Sequence, residues 1–170
     1  MLELGLVLML LAAEARPDAP AMEVHLLIVD GRALVDLRVD LDALLLGMGP
    51  GASGAERVMA MERLRDVQLE EAVESLDRLF RRRVRLRFDG HTQPFEVSFP
   101  EEKRSDDGRG LVTLGSLARL SAVVPPGARD ASFFASRAFG EVELHVETAT
   151  SRLVLRLGRG EISPAVLLAR

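Results

Sequence analysis

Alternating apolar and polar residues run along much of the chain from residue 23 onward, in short stretches separated by turn-forming residues. This period of two is typical of half-buried β-strands. The first two stretches, Glu23–Val29 and Arg32–Val39, flank Asp30 and Gly31. That dipeptide favours a type I′ turn, because Asp and Gly are well suited to the positive φ angles it requires. The pattern predicts a β-hairpin whose inward side chains are Val24, Leu26, Ile28, Val35, Leu37 and Val39.

A helical pattern then interrupts the strands. Gly47–Gly54 has the composition of a loop, and Ser53 and Glu56 have the spacing of a capping box, which marks the start of a helix. Apolar residues recur every three or four positions after it. The arginines at positions 81–83 suit the negative end of a helix dipole. One amphipathic helix over about residues 56–82 is therefore predicted, between the second and third strands.

Two further hairpins are predicted beyond this helix. Val84–Phe88 and Phe95–Phe99 surround a second Asp-Gly turn, and Pro94 indicates that one of these strands is an edge or starts late. Glu141–Glu147 and Arg152–Leu157 alternate cleanly and can be joined by the four residues between them. That register would pair Glu147 with Arg152 and Glu143 with Arg156. Other strands are predicted within Leu111–Val124, Ala131–Ala135 and Ile162–Leu168.

These elements predict a mostly β protein with about seven short strands. The spacing favours an immunoglobulin-like antiparallel β-sandwich with one amphipathic helix inserted between the second and third strands. A partly open barrel is the alternative. A chain of 170 residues and 18.6 kDa suits one ordinary hydrophobic core, so residues 22–170 are predicted to form a single domain.

Residues 1–21 are predicted to be a signal peptide. The apolar run Leu4–Ala13 is too short to span a bilayer. Ala13 with Ala15, or Ala19 with Ala21, can serve as an A-x-A cleavage pattern, and the second pair places the mature start near Met22. No basic residue precedes the run, so an upstream start and a start at Met22 are the alternatives. A signal peptide implies export, and the protein is predicted to be periplasmic or extracellular.

Composition narrows the classes of function. The formal net charge is −4 and there is no cysteine. A slightly acidic chain has no long-range attraction for nucleic acid or for an anionic membrane surface, so neither is a predicted partner. The absence of cysteine excludes disulfides and thiolate metal sites. An aromatic content of 4%, without Trp or Tyr, argues against stacking platforms for sugars or bases.

No catalytic motif is present. None of the serines lies in a G-x-S-x-G elbow, and the nearest pattern, at Gly115 and Ser116, lacks the second glycine. The glycine-rich loop before the helix lacks the Lys-Ser/Thr of a phosphate-binding loop. The protein is therefore predicted not to be an enzyme and to need no cofactor, with an enzyme of unrecognised type as an alternative.

The three histidines, His25, His91 and His145, fall on three different predicted elements without a metal-binding spacing. The first hairpin sets His25 opposite Asp36. The candidate metal ligands are therefore His25 with Asp36, or His91. The alternative is that all three histidines are ordinary surface or cross-strand residues.

The order of these features resembles a known family. The segments V-H-L-L-I-V-D-G-R-A, D-L-D-A-L-L-L and S-L-D-R-L-F-R-R-R-V-R-L-R-F-D-G resemble the extracytoplasmic N-terminal domain of HupE/UreJ-type hydrogenase and urease accessory membrane proteins. The resemblance covers most of residues 22–168. It implies a connection to nickel or cobalt and a membrane protein partner. The family's metal residues belong to its membrane helices, so none is carried over.

The resulting functional prediction is a secreted or periplasmic, non-catalytic binding or accessory module, associated with a membrane partner. The main alternative is a nickel- or cobalt-handling accessory domain. Both predictions place the function in binding and assembly.

Overall fold

A computed structural model of the protein describes residues 22–48, 53–63, 66–104 and 111–168. Within these ranges the chain forms three α-helices and twelve β-strands, which are arranged in sheets of six, four and two strands. The fold is mostly β. The strands are β1 (Met22–Val29), β2 (Arg32–Arg38), β3 (Val84–Phe88), β4 (His91–Gln93), β5 (Glu96–Ser98), β6 (Lys103–Arg104), β7 (Leu111–Thr113), β8 (Leu117–Val123), β9 (Asp130–Ala135), β10 (Val142–Thr148), β11 (Arg152–Leu157) and β12 (Val166–Leu167). The helices are α1 (Leu41–Leu45), α2 (Gly54–Arg63) and α3 (Asp66–Arg83).

The six-stranded sheet has the order β11-β10-β1-β2-β8-β5. Its first hairpin is confirmed, since β1 and β2 pair antiparallel around Asp30 and Gly31, with φ angles of 50° and 71°. The hairpin of β10 and β11 is confirmed as well, with Glu147 opposite Arg152 and Glu143 opposite Arg156. Turn chemistry and period-two alternation were enough to determine both local registers.

The prediction of a wholly antiparallel arrangement is wrong at the centre of this sheet. β1 pairs with β10 in parallel, from Met22 opposite Val142 to Ile28 opposite Thr148. The first hairpin leaves one edge of β1 without a partner, and the β10–β11 hairpin binds along that edge. The choice of partner and its direction depend on tertiary packing, because no local turn joins the two strands.

The second hairpin is also corrected. β3 pairs with the short β4 after the Asp89-Gly90 turn, but the predicted strand over Phe95–Phe99 does not return to β3. Its central part, β5, pairs with β8 in the six-stranded sheet. Pro94 lies where the chain changes sheets, and it has no N–H to donate to a strand ladder. The four-stranded sheet consequently has the order β12-β9-β3-β4.

The described part of the chain forms twelve short strands, where about seven were predicted. The stretch Leu111–Val124 is divided into β7 and β8 at Leu114, Gly115 and Ser116, where Gly115 has a φ of 78°. This left-handed conformation interrupts a strand and is one that glycine adopts readily. The predicted final strand over Ile162–Leu168 is reduced to a single bridge at Ile162 and the two residues of β12.

All described residues of the helix predicted over residues 56–82 are helical. The structure has two helices there, α2 and α3, and residues 64–65 between them lie outside the described ranges. The capping box is confirmed, since the amide of Glu56 donates to Ser53 Oγ at 3.2 Å and the amide of Ser53 donates to Glu56 Oε2 at 2.7 Å. The short α1 was not predicted. Its N-terminus is capped by Asp40, which accepts from the amide of Ala43 at 2.9 Å.

One continuous core is built from both larger sheets and the helices. Side chains of β1 and β2 that were predicted to point inward are buried, as are Val84, Leu86 and Phe88 of β3. Leu76 and Phe80 of α3 are buried in the same core. Alternation leaves the other face of the six-stranded sheet to charged and polar residues together with exposed apolar side chains such as Leu27 and Val154, and this open face carries the candidate site.

The predicted signal peptide, residues 1–21, lies outside the described residues. Among the helices that the structure describes, none has the length and apolar character needed to cross a bilayer.

Glu101 gives a pH-dependent prediction. Its carboxylate accepts from the amide of Ser116 at 2.7 Å and from the Ser116 hydroxyl at 3.1 Å, and the amide contact is the main reason that the pKa of Glu101 is lowered. A carboxyl group whose pKa is lower in the folded state stabilises the fold above its unfolded pKa, and this contribution is lost as pH falls through the folded pKa. We expect the difference in urea midpoint between the wild type and Glu101→Gln to shrink on acidification. Glu96→Gln, on the exposed strand β5, is the control, and a difference that stays constant with pH would contradict the prediction.

Candidate functional site

Two of the three histidines lie side by side on the open face of the six-stranded sheet. His25 is on β1 and His145 is on β10, and the parallel register of these strands pairs the two residues directly. Their imidazole rings stack, with centroids 4.6 Å apart and planes inclined by 12°. This proximity was not predicted, because it depends on the pairing of two strands that are far apart in the chain.

Each of these histidines has a glutamate two positions before it, and the two glutamates are also register partners. Glu23 pairs with Glu143 just as His25 pairs with His145. Alternate residues of a strand share a face, so all four side chains lie on the open face in two adjacent rows. We refer to Glu23, His25, Glu143 and His145 as the Glu-His array.

Within each strand the glutamate contacts its own histidine. Glu23 Oε1 lies 2.7 Å from His25 Nε2, and Glu143 Oε1 lies 3.1 Å from His145 Nε2. The hydrogen bond from the His25 imidazole is the main reason that the pKa of Glu23 is lowered. The second oxygen of each carboxylate faces an arginine. Glu23 Oε2 is 3.8 Å from Arg38 Nε, and Glu143 Oε2 is 3.5 Å from Arg156 Nε.

Three members of the array are placed to share one ion. One donor atom from each of Glu23, His25 and His145 lies within 4.8 Å of the other two. Two nitrogens bound to the same zinc ion, at about 2.0–2.1 Å each, are at most ~4.2 Å apart. The three donors therefore lie near the separation that a shared ion requires, with His25 exposed and Glu23 and His145 partly buried.

The array lies beside a groove of about 580 Å³ on the same face. Asp36 and Arg119 form one wall as a bidentate pair, with both N–O distances at 2.7 Å. Glu147 and Arg152 form another ion pair at 2.7 Å. The charged residues Asp36, Arg119, Glu147 and Arg152 of the groove are therefore already paired with one another, and its lining also includes Leu27, Leu34 and the two histidines.

The structure places the predicted candidates differently from one another. Asp36 lies opposite His25, as the hairpin register predicted, but its carboxylate is held by Arg119, and the acid that contacts His25 is Glu23. His91 is exposed on β4 of the four-stranded sheet, away from the other two histidines. Of the predicted ligands, His25 alone belongs to the array.

Three members of the array, Glu23, Glu143 and His145, were missed as ligands. A signal was present in the sequence, since Glu23-Val24-His25 and Glu143-Leu144-His145 repeat the pattern E-x-H on two strands. The pattern carries chemistry only when the two strands are neighbours in register, and no local feature of the sequence indicates that pairing.

Among the described residues, the Ser116 hydroxyl donates to the carboxylate of Glu101 at 3.1 Å, whereas the nucleophile of a serine triad donates to a histidine. The prediction that the protein is not an enzyme stays a prediction.

Comparison of the chain with protein-family models and with curated proteins finds no match. The resemblance to HupE/UreJ-type domains is therefore still a prediction. The function is inferred below from the geometry of the Glu-His array.

Proposed function

We propose that this protein is an exported, non-catalytic accessory module that binds a divalent transition-metal ion on the open face of its six-stranded sheet. The observation that carries the proposal is the convergence of Glu23, His25 and His145, whose donor atoms lie within 4.8 Å of one another. We also propose that the two larger sheets form an immunoglobulin-like sandwich, which holds β1 and β10 rigid beneath the site.

The donor types select the class of metal. Imidazole suits zinc, nickel, copper and iron, whereas calcium and magnesium prefer sites made of oxygen alone. Two imidazoles with a carboxylate therefore favour a divalent first-row transition metal such as Fe²⁺, Co²⁺, Ni²⁺, Cu²⁺ or Zn²⁺. Nickel and cobalt are the metals implied by the resemblance to HupE/UreJ-type domains, so the metal choice and the resemblance support the same proposal.

The solvent exposure of the array is suited to a module that transfers a metal ion to another protein. The His25 side chain is 47% exposed and that of His145 is 30% exposed. An ion held at this surface is within reach of water and of a donor group from another molecule. This accessibility is the property needed for exchange with the membrane protein partner that we propose.

The test is calorimetric titration of the tag-free protein with Ni²⁺, Co²⁺ and Zn²⁺ at neutral pH. We expect one binding site. The double variant His25→Ala/His145→Ala should reduce the affinity by more than about 100-fold, because losing a residue that only hydrogen-bonds to a metal ligand already costs roughly 10–100-fold. Mg²⁺ should not bind measurably, because it demands oxygen donors in octahedral geometry.

His91→Ala is the matched control, since it removes an exposed strand histidine from the other sheet. It should leave the affinity unchanged. Circular dichroism of both variants checks that they are folded. The proposal fails if the wild type does not bind these ions, or if the double variant binds them as the wild type does.

A further inference from the structure

We infer that Glu143 is the fourth protein ligand of this metal site, so that the ion joins β1 to β10 through two matching Glu-x-His pairs. This inference rests on the proposed function and adds to it a ligand, a coordination number and a consequence for the fold. It also gives a role to the two arginines that contact the glutamates.

The parallel register is the first support. Parallel strands present equivalent residues side by side in the same orientation, and neighbouring strands lie about 4.8 Å apart. Glu143 therefore lies beside Glu23 just as His145 lies beside His25. Both carboxylates already point at the Nε2 atom of their own histidine, at 2.7 Å and 3.1 Å. An ion between the two Nε2 atoms would have a carboxylate on each strand within reach.

The second support is the chemistry of the donor set. Two imidazoles and two carboxylates satisfy a four-coordinate ion and balance its double positive charge. In the metal-free protein each carboxylate interacts with its histidine instead, and metal binding would replace these hydrogen bonds. Glu143 lies outside the three donors that converge within 4.8 Å, so its flexible side chain has to rotate toward β1 to complete the set.

The two arginines compete with the metal for the carboxylates. Arg38 contacts Glu23 and Arg156 contacts Glu143, at 3.8 Å and 3.5 Å, and the arginine side chains are 55% and 88% exposed. Exposed pairs of this kind contribute little stability, so a metal ion can displace them. Removing Arg156 should therefore strengthen metal binding, because it frees Glu143 and removes a nearby positive charge.

An ion held by both strands would also stabilise the sheet. β1 and β10 come from opposite halves of the chain, and no local turn joins them. A ligand that binds the folded state alone raises its stability in proportion to the logarithm of ligand concentration over Kd. The increase in melting temperature on adding Zn²⁺ or Ni²⁺ is therefore a second readout of the same site.

The experiment compares Glu143→Gln with Glu147→Gln in the full protein. Both changes neutralise a glutamate on the same face of β10, and Glu147 pairs with Arg152 outside the array. We expect Glu143→Gln to lower the affinity for Zn²⁺ and Ni²⁺ by about ten-fold or more, and to reduce the metal-induced rise in melting temperature. Glu147→Gln should leave both unchanged, and Arg156→Gln should raise the affinity.

The visible absorption spectrum of the Co²⁺ complex reports directly on coordination, and we expect Glu143→Gln to alter it while Glu147→Gln does not. If the wild type binds metal and Glu143→Gln binds it equally well with the same spectrum, the inference is overturned and the proposed function stands. If the wild type does not bind, both are overturned. Melting temperatures measured without metal identify any loss of folding in the variants.

Discussion

Replacing Phe80 with alanine is expected to lower the free energy of unfolding by about 3–5 kcal/mol, the usual cost of removing a buried phenylalanine side chain. Phe80 has no exposed surface. Its ring stacks on Phe139 with centroids 5.8 Å apart and lies 6.3 Å from that of Phe99. The residue thus connects α3 with segments that follow β5 and β9, and alanine would leave a cavity where these elements meet.

Urea denaturation followed by circular dichroism measures this loss. Ser75→Ala is the control, because Ser75 is exposed on the same helix, and it should change the midpoint little. Phe80→Leu should give a smaller loss than Phe80→Ala, since it keeps more of the buried volume. A loss for Phe80→Ala no larger than that for Ser75→Ala would show that α3 is not part of the cooperative core.

Gly115→Ala is expected to be the second most destabilising of these changes, at about 2–5 kcal/mol. Gly115 has a φ of 78°, and a left-handed conformation costs a residue with a Cβ atom roughly 1–2 kcal/mol. An added Cβ would also lie 2.5 Å from Glu101 Cβ and Oε2. Relieving such a clash costs typically 1–3 kcal/mol more, because Glu101 is itself held by its bonds to Ser116.

Gly127→Ala separates the two contributions. Gly127 has the same φ of 78°, but an added Cβ there would have no heavy atom within 4 Å. We expect Gly127→Ala to show the conformational cost alone and Gly115→Ala to show the conformational and steric costs together, both measured as changes in urea midpoint. Equal losses would contradict the steric argument at Gly115.

The segment around Gly115 is built from polar contacts that only the folded chain provides. Asp42 of α1 accepts from the Thr113 hydroxyl at 2.6 Å and from the amide of Leu114 at 2.8 Å. The amide of Leu41 donates to the carbonyl of Gly115 at 3.3 Å. These contacts fasten the unpredicted helix α1 to the break between β7 and β8. They hold the chain at the break between β7 and β8, within the stretch Leu111–Val124 where one strand was predicted.

The location of the Glu-His array has a consequence for any ligand that it binds. A metal site formed by two neighbouring strands of a central sheet is held more precisely than one on loops, since strand positions are fixed by hydrogen bonds on both sides. β1 is paired with β2 on one side and with β10 on the other. Binding of a ligand at the array would therefore depend on the pairing of β1 with β10, and it would stabilise the six-stranded sheet.

The sequence by itself determined the local structure of this protein. Alternation of apolar and polar residues located the two long hairpins and their inward faces, and the Asp30-Gly31 turn fixed the register that places His25 opposite Asp36. Ser53 and Glu56 marked the start of a helix. These predictions succeeded because the interactions involved span only a few residues or one turn.

Only the tertiary structure decided which strands became neighbours. The parallel pairing of β1 with β10, the movement of β5 into the other sheet at Pro94, and the contact of α1 with Thr113 and Leu114 all join segments that are remote in the chain. The Glu-His array depends on the first of these. Each E-x-H pattern is an ordinary strand sequence when considered alone, and it becomes a candidate metal site only because the packing of the core places the two strands side by side in register.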